Sequence, residues 1–227
     1  MKRDRRFFYI MAVLLLLTMY FLGKGMAFVT ADAKLDNIVV AIDAGHGGND
    51  PGKTVGDVNE KDINLSIAKK LKAPLEEEGI TVIMTREEDK GLYKEADSNK
   101  KVTDMKNRCE LINSNKVDLL ISIHQNSYPQ ESVKGAQCFY YKASAEGEKL
   151  ASILQEKLIE KLDNKNTRKA KANDSYYILL NVSSPAVIVE CGFLTNNGER
   201  KKLQEEQYQD NIALAIKDGV ISYFTEK

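Results

Sequence analysis

The sequence of 227 residues has no tryptophan, four prolines, three cysteines and two histidines, and its formal net charge is zero. The balanced charge argues against a protein that binds nucleic acid by bulk electrostatics, so we expect no nucleic-acid partner. Cys109, Cys138 and Cys191 are far apart and form no C-x-x-C pair. This spacing fits neither a disulfide framework nor a cysteine-rich zinc site. Because each has apolar neighbours, we expect three small buried side chains rather than a nucleophilic thiolate.

Long apolar runs are also scarce, and the most prominent one lies at the N-terminus. Four basic residues among the first six precede an apolar stretch over residues 7–22. This layout is typical of a signal peptide or a signal anchor, and residues 31–33 (Ala-Asp-Ala) resemble a cleavage site. Since the stretch is long for a signal peptide and short for a membrane span, cleavage and retention both stay open. We predict a targeting segment over residues 1–33, the only membrane contact, and an exported domain over 34–227.

Apolar runs and helical patterns alternate along the rest of the chain. The predicted strands are residues 38–42, 80–85, 117–123, 135–141 and 185–193. Apolar residues at helical spacing mark helices around residues 63–75, 102–112, 150–162 and 212–220. Pro74 is expected to kink or end the first helix, and the polar stretch 87–101 is predicted to be a loop. The order β-α-β-α-β-β-α-β-α predicts a single α/β domain, with a mostly parallel or mixed sheet flanked by helices on both faces.

The glycine-rich loop after the first predicted strand allows two interpretations. Residues 47–54, GGNDPGKT, match the phosphate-loop pattern G-x-x-x-x-G-K-[ST] in every letter. A working phosphate loop needs a helix that begins at its Lys-Thr, whereas Gly56 and the adjacent valines disfavour a helix before Glu60. The same loop contains His46, one of only two histidines. We therefore favour a metal ligand over a nucleotide site.

Both histidines follow predicted buried strands. His46 lies just after the first strand, and His124 directly follows the run LLISI. Ligands of α/β sheets bind at the carboxyl ends of strands, so the two imidazoles are expected to meet there. Glu60 opens the next helix and adds a carboxylate. Two imidazoles and one carboxylate, with a fourth position left for water, form the ligand set of a catalytic zinc site. The alternative for any single histidine is a structural role.

Glu190 ends the apolar run PAVIVE, where a charged side chain is costly unless it has a partner or a function. One alternative is an ion pair with Arg86 or Arg108. The other is catalysis, in which Glu190 takes a proton from the attacking water as a general base. Together with the predicted export, these residues indicate a secreted metal-dependent hydrolase.

At these residues the chain resembles the zinc-dependent N-acetylmuramoyl-L-alanine amidases of the type-3 amidase family. The matching stretches, in family order, are IDAGHGGNDPG, EKD at 60–62, MTREED at 84–89, ISIHQNS at 121–127 and PAVIVECGFLTNNGE at 185–199. The resemblance implies that His46, Glu60 and His124 bind Zn²⁺ and that Glu190 is the catalytic glutamate. It also implies that the substrate is the amide between N-acetylmuramic acid and L-alanine in peptidoglycan.

Asp43, Gly45 and Asn126 also fall on motif positions, and we expect them to shape or support the site. Two stretches, KGAQCFYY at 134–141 and TRKAK at 167–171, look most like the germination-specific amidases of spore-forming bacteria. That likeness implies action on the spore cortex, in the pathway to muramic-δ-lactam. The alternatives are a general cell-wall amidase of growth or division and a wall-binding module without turnover.

The resemblance also bears on partners and location. Because some family members need an activator protein, an activator is a candidate partner beside peptidoglycan. The expected location is the cell wall or the spore intermembrane space, with anchoring through residues 7–22 left open. One basic cluster could contact stem-peptide carboxylates, although a solvated face is favoured: Lys165, Arg168, Lys169 and Lys171.

Overall fold

The computed structural model describes residues 35–225 and seven residues of the N-terminal segment, which are Phe7, Tyr9, Met11, Val13, Leu14, Leu15 and Thr18. The chain divides into two compact units, Met1–Lys34 and Leu35–Lys227. The seven described residues of the first unit are helical. The rest of the predicted targeting segment, with the cleavage site at 31–33, lies outside the described residues. Within the described part of the chain, no helix has the length and hydropathy that a membrane span requires.

The second unit is built around a six-stranded mixed sheet, with a separate two-stranded hairpin. The strands are β1 (Val39–Ala44), β2 (Thr54–Val55), β3 (Val58–Asn59), β4 (Thr81–Met84), β5 (Leu119–Asn126), β6 (Gln137–Tyr141), β7 (Lys171–Asn173) and β8 (Ala186–Phe193). The order in the large sheet is β4-β1-β5-β8-β6-β7, and β2 pairs with β3. Strands β4, β1, β5 and β8 are parallel, whereas β6 runs antiparallel to β8. The predicted mixed α/β sheet is confirmed.

Helices cover both faces of this sheet. Between residues 35 and 225 they are α1 (Glu60–Glu77), α2 (Lys100–Ser114), α3 (Ala145–Leu162), α4 (Tyr177–Asn181), α5 (Asn197–Leu203) and α6 (Glu206–Thr225). Alternate residues of β1 point to opposite faces, so Val40 and Ile42 pack with α1, α3 and α6, whereas Ala41 packs with α2 and α4. The prediction of helices on both faces is confirmed.

Several element boundaries differ from the sequence prediction. Helix α1 continues past Pro74 to Glu77, because Leu75 is fully buried and its packing outweighs the lost backbone N–H. Helix α2 begins at Lys100 inside the predicted loop, where the side chain of Asn99 accepts from the backbone N–H of Val102. The short elements β2, β3, β7, α4 and α5 were not predicted.

Candidate active site

The loop that carries His46 leaves β1 in an unusual backbone conformation. His46 has φ of 62°, and the two glycines that follow also have positive φ. This left-handed region is uncommon for a residue with a Cβ, so packing must hold it. Arg108 Nη2 donates to the carbonyl of His46 at 2.7 Å, and Arg86 donates to the two carbonyls that precede it. Two buried arginines thus fix the shape of the loop.

Asp43, which we expected to support the site, holds one of these arginines. Its Oδ1 lies 2.6 Å from Arg108 Nη1, and its carboxylate also accepts from Thr85 and Ser122. Burial by itself would raise the pKa of Asp43, but the adjacent guanidinium and the hydroxyl donors lower it to about 2. Arg108 in turn contacts Asp104 at 2.8 Å. The buried guanidinium of Arg108 is therefore paired with two carboxylates, whereas that of Arg86 donates to backbone carbonyls.

The three predicted metal ligands come together at the carboxyl edge of the sheet. Glu60 Oε1 lies 3.2 Å from His46 Nε2 and 3.0 Å from His124 Nδ1. All three ligand atoms lie within 4.8 Å of one another. This set of two ring nitrogens and one carboxylate oxygen suits a catalytic zinc ion, with a coordination position left open. The residues present therefore fit the implied metal.

The carboxylate of Glu60 and the imidazole of His46 stabilise each other's charged forms. Burial opposes ionisation of Glu60, but the hydrogen bonds from His124 and His46 hold the pKa of its carboxyl well below the usual range. Burial likewise opposes a charge on His46, but Glu60 and Asp50 raise its pKa. The site is thus arranged around an ionised carboxylate that needs a cationic partner.

The hairpin β2–β3 directly precedes Glu60 and places its side chain beside the loop that carries His46. Lys53 donates its backbone N–H to Glu60 Oε2 at 2.8 Å, and Gln125 donates its backbone N–H to Glu60 Oε1 at 3.0 Å. Thr54 lies in strand β2, and the helix begins only at Glu60. A phosphate loop would instead place its helix N-terminus at the Lys-Thr pair. The match to the phosphate-loop pattern is therefore a coincidence of letters.

Sequence reasoning missed Asp50 and Asn64. Asp50 Oδ2 lies 3.0 Å from His46 Nδ1, the geometry by which a carboxylate orients a metal-binding imidazole. The signal available in the sequence was its position four residues after His46. Asn64 is fully buried and donates to the carbonyl of Gly45 at 3.0 Å, and its side-chain oxygen accepts from Gln125. Its place one helical turn after Glu60 could have suggested this support.

Gly45 and Asn126, which also fell on motif positions, differ in their contacts. The ring of His124 lies directly over Gly45, since a Cβ on residue 45 would be 2.3 Å from the ring atoms. Gly45 donates its backbone N–H to Ile123 at 3.0 Å and extends the β1–β5 pairing to this point. The side chain of Asn126 accepts from the N–H of Ser127. Gly45 thus contacts the predicted metal ligand His124. Asn126 instead accepts a hydrogen bond from the first residue of the loop after β5.

Glu190 lies beside His124, because the two residues are partners in the register of β5 and β8. Its side chain is nearly buried, at 7 % exposure, and its Oε2 has no hydrogen-bond partner in the described part of the chain. Burial raises the pKa of its carboxyl to about 7. Arg86 and Arg108 both bond elsewhere, so the predicted alternative of an ion pair is wrong.

His46, His124 and Glu190 line one cavity of about 400 Å³. Side chains from β8, α2, α4 and the residue before α4 form its apolar wall: Ile188, Met105, Ile178 and Tyr176. The cavity combines an apolar lining with a few converging polar groups, which is the usual composition of a small-molecule or substrate site.

The sequence model of the N-acetylmuramoyl-L-alanine amidase family matches residues 40–222. The chain belongs to this amidase family. A germination-specific N-acetylmuramoyl-L-alanine amidase of Bacillus subtilis is 39 % identical over 218 residues, which cover 95 % of this chain and 92 % of that protein.

Solved structures of amidases are also similar to this chain. The CwlD amidase from Clostridioides difficile, solved in complex with the GerS lipoprotein, matches with a TM-score of 0.82 and 40 % identity, over 84 % of this amidase and all of that chain. An N-acetylmuramoyl-L-alanine amidase from Clostridium difficile 630 matches with a TM-score of 0.75 and 34 % identity, over 84 % of this chain and 98 % of that one.

Other candidate groups of this amidase lie away from the cavity. Cys109, Cys138 and Cys191 are buried and unbridged, as predicted, and burial raises the pKa of each thiol. In the basic cluster, Arg168 stacks over the ring of Phe193 at 4.7 Å and donates to a backbone carbonyl at 2.8 Å. The cavity lining includes no residue of the cluster. Arg168 is therefore a structural residue.

Proposed function

We propose that this chain hydrolyses the amide between N-acetylmuramic acid and L-alanine in peptidoglycan, with zinc held by His46, Glu60 and His124. The observation that carries the proposal is that His46, Glu60 and His124 converge, and that His46 and His124 line one cavity with Glu190, in an amidase-family fold. A wall-binding module without turnover would have no need for a nearly buried, unpartnered carboxyl beside a metal-ligand set.

The proposed chemistry divides between the metal and the protein. Bound zinc would polarise the scissile carbonyl and lower the pKa of an attacking water. Glu190 takes the proton of that water as it attacks the carbonyl carbon, and then passes the proton to the departing amide nitrogen. Burial, which raises the pKa of this carboxyl, favours its acting as both proton acceptor and proton donor. Asp50 keeps the ring of His46 in its ligating orientation.

We further propose a role in the spore cortex. The support is the 39 % identity to a germination-specific amidase over nearly the whole chain. A general role in wall growth or division is the second candidate, since a probable cell wall amidase, LytH of Staphylococcus saprophyticus, is 32 % identical over 85 % of this chain and 60 % of that protein. Deletion of the gene distinguishes these roles. Loss of muramic-δ-lactam from spores with unchanged vegetative growth supports the cortex role, whereas impaired vegetative growth or division supports the general one.

The proposal includes location and partners. We propose that residues 1–33 direct export and that residues 34–227 act outside the cytoplasm on the wall. Since one similar amidase was solved with a lipoprotein, we also propose that an extracytoplasmic protein activates this one.

The test is mass spectrometry of the products released from purified peptidoglycan by the zinc-loaded protein, with and without a chelator. The proposal predicts peptides that begin at L-alanine and that disappear with the chelator. Release of glycan fragments, or release that the chelator leaves unchanged, would contradict it.

A further inference from the structure

We infer that Lys100 and Lys101, which line the active-site cavity, bind a carboxylate of the substrate on the stem-peptide residue that follows L-alanine. This inference rests on the proposed function and adds a preference for acidic over amidated stem peptides.

The cavity is lined by groups of different chemistry. His46, His124 and Glu190 line it where the reaction is proposed to occur. Tyr93 and the first two residues of helix α2, Lys100 and Lys101, line the same cavity. A substrate bound there by its reacting amide would thus also meet two ammonium groups.

Of the basic side chains that line the cavity, Lys100 and Lys101 are the two that can bind a substrate carboxylate. Arg108 also lines the cavity, but its guanidinium is taken up by Asp43, Asp104 and the carbonyls of the loop. Each ammonium group has three donors. Lys100 pairs with Glu95 and lies 5.7 Å from the centre of the Tyr93 ring, while the side chain of Lys101 is 71 % exposed. Both can therefore donate to a further carboxylate.

The spacing suits a carboxylate close to the scissile bond. Lys101 Nζ lies 3.2 Å from Asp50 Oδ2, and Asp50 Oδ2 lies 3.0 Å from His46 Nδ1. The ammonium is therefore no more than about 6 Å from the ring of a proposed metal ligand. Extended peptide covers roughly 3.3–3.6 Å per residue. A peptide that leaves the reacting amide through L-alanine would bring the carboxylate of its next residue to Lys101.

Charge gives this subsite its selectivity. A carboxylate accepts charge-assisted hydrogen bonds from an ammonium, whereas a carboxamide of the same shape offers only a neutral oxygen. Because Lys101 is exposed, the contribution is moderate and depends on salt. We expect a preference of about fivefold for the carboxylate form at low ionic strength.

The test compares two synthetic ligands, N-acetylmuramoyl-L-alanyl-glutamic acid γ-methylamide, whose only carboxylate is the glutamyl α-carboxylate, and the same compound with that α-carboxyl converted to a carboxamide. Their dissociation constants are measured by calorimetry on the zinc-loaded full-length Glu190→Gln variant, in which hydrolysis is suppressed. The variants added to this background are Lys101→Gln, Lys101→Glu and the control Lys106→Gln, which changes an exposed lysine of the same helix outside the cavity. The readout is the ratio of the two constants, since a general disturbance of Asp50 and His46 would weaken both ligands alike.

The inference predicts about fivefold preference for the carboxylate, loss of that preference in Lys101→Gln, inversion in Lys101→Glu and no change in Lys106→Gln. Equal binding of the two ligands, binding of neither, or a preference that survives Lys101→Gln would overturn it. Hydrolysis of both compounds by the unmodified protein distinguishes the two claims. If both are cleaved but bound equally, the subsite is wrong while the amidase function stands.

Discussion

The ring of His124 lies over Gly45, and this contact decides which residue can occupy position 45. The sequence showed a glycine in a motif but could not show what approaches it. The same limit applies to Asp50 and Asn64, because carboxylates and amides are common in loops and helices. The candidate metal ligands were easier to select, since the chain has only two histidines and each follows a predicted buried strand.

Gly45→Ala should displace the ring of His124. Its Cβ would lie 2.3 Å from ring atoms, far inside van der Waals contact. We expect zinc content below one per chain and amidase activity reduced by at least about 100-fold, since small displacements of reacting groups have effects of that size. Gly198→Ala is the matched control, because its Cβ meets only Asn196 at 3.4 Å. Normal zinc content in Gly45→Ala would contradict the described contact.

Asp43 is expected to make the free energy of unfolding of the metal-free protein depend on pH in the acidic range. Its folded pKa is about 2, below the ordinary 3.8, so its contribution is complete above pH 4 and is lost as pH falls toward 2. That contribution amounts to about 2 kcal/mol. In denaturant titrations between pH 5 and pH 2 with a chelator present, Asp43→Asn should be less stable at pH 5 and lose less stability on acidification. Asp36→Asn, at an exposed position, should keep the parent slope. An unchanged slope in Asp43→Asn would refute this assignment.

At the scale of elements, the hairpin β2–β3 replaces the helix that a phosphate loop would have. It holds Lys53 so that its backbone N–H, rather than its exposed side chain, meets Glu60. Apolar periodicity predicted the longer strands and helices well. It could not predict two-residue strands, nor β7, since the polar residues of β7 join the sheet edge through backbone pairing with β6.

Two substitutions at residue 53 distinguish the role of its backbone N–H from that of its side chain. Lys53→Ala keeps the N–H and should leave zinc affinity and amidase activity within about twofold. Lys53→Pro removes the donor to Glu60 and should weaken zinc affinity by about 10- to 100-fold, the usual effect of losing a partner of a metal ligand. Zinc affinity is measured by competition with a chromogenic chelator. Loss of zinc binding in Lys53→Ala would contradict the backbone role.

At the scale of the whole molecule, strand order brings the site together. Strands β1, β5 and β8 are neighbours and parallel, so His46, which follows β1, lies at the same edge as His124 and Glu190, which are paired within the carboxyl-terminal halves of β5 and β8. The sequence predicted the sheet class and this edge, but not the order of strands. Order depends on long-range pairing, including the antiparallel return of β6, and local patterns do not report it.

Among the described residues, both buried clusters consist of residues from Leu35 onward, and we expect the second unit to be stable without residues 1–34. A chain that begins at residue 35 should unfold within about 2 °C of the full-length protein and bind zinc equally well. Thermal unfolding followed by circular dichroism, with zinc content measured in parallel, checks this. A markedly lower midpoint would show that residues 1–34 contribute to the fold of the second unit.

In the proposed mechanism, Glu190 acts on the substrate beside the metal site and is not itself a metal ligand. The most direct test measures, in Glu190→Gln and in the unmodified protein, both bound zinc and the rate at which peptides beginning at L-alanine leave peptidoglycan. We predict equal zinc in the two proteins and a rate at least about 100-fold lower in the variant. A variant that releases these peptides at the unmodified rate with equal zinc would contradict the account.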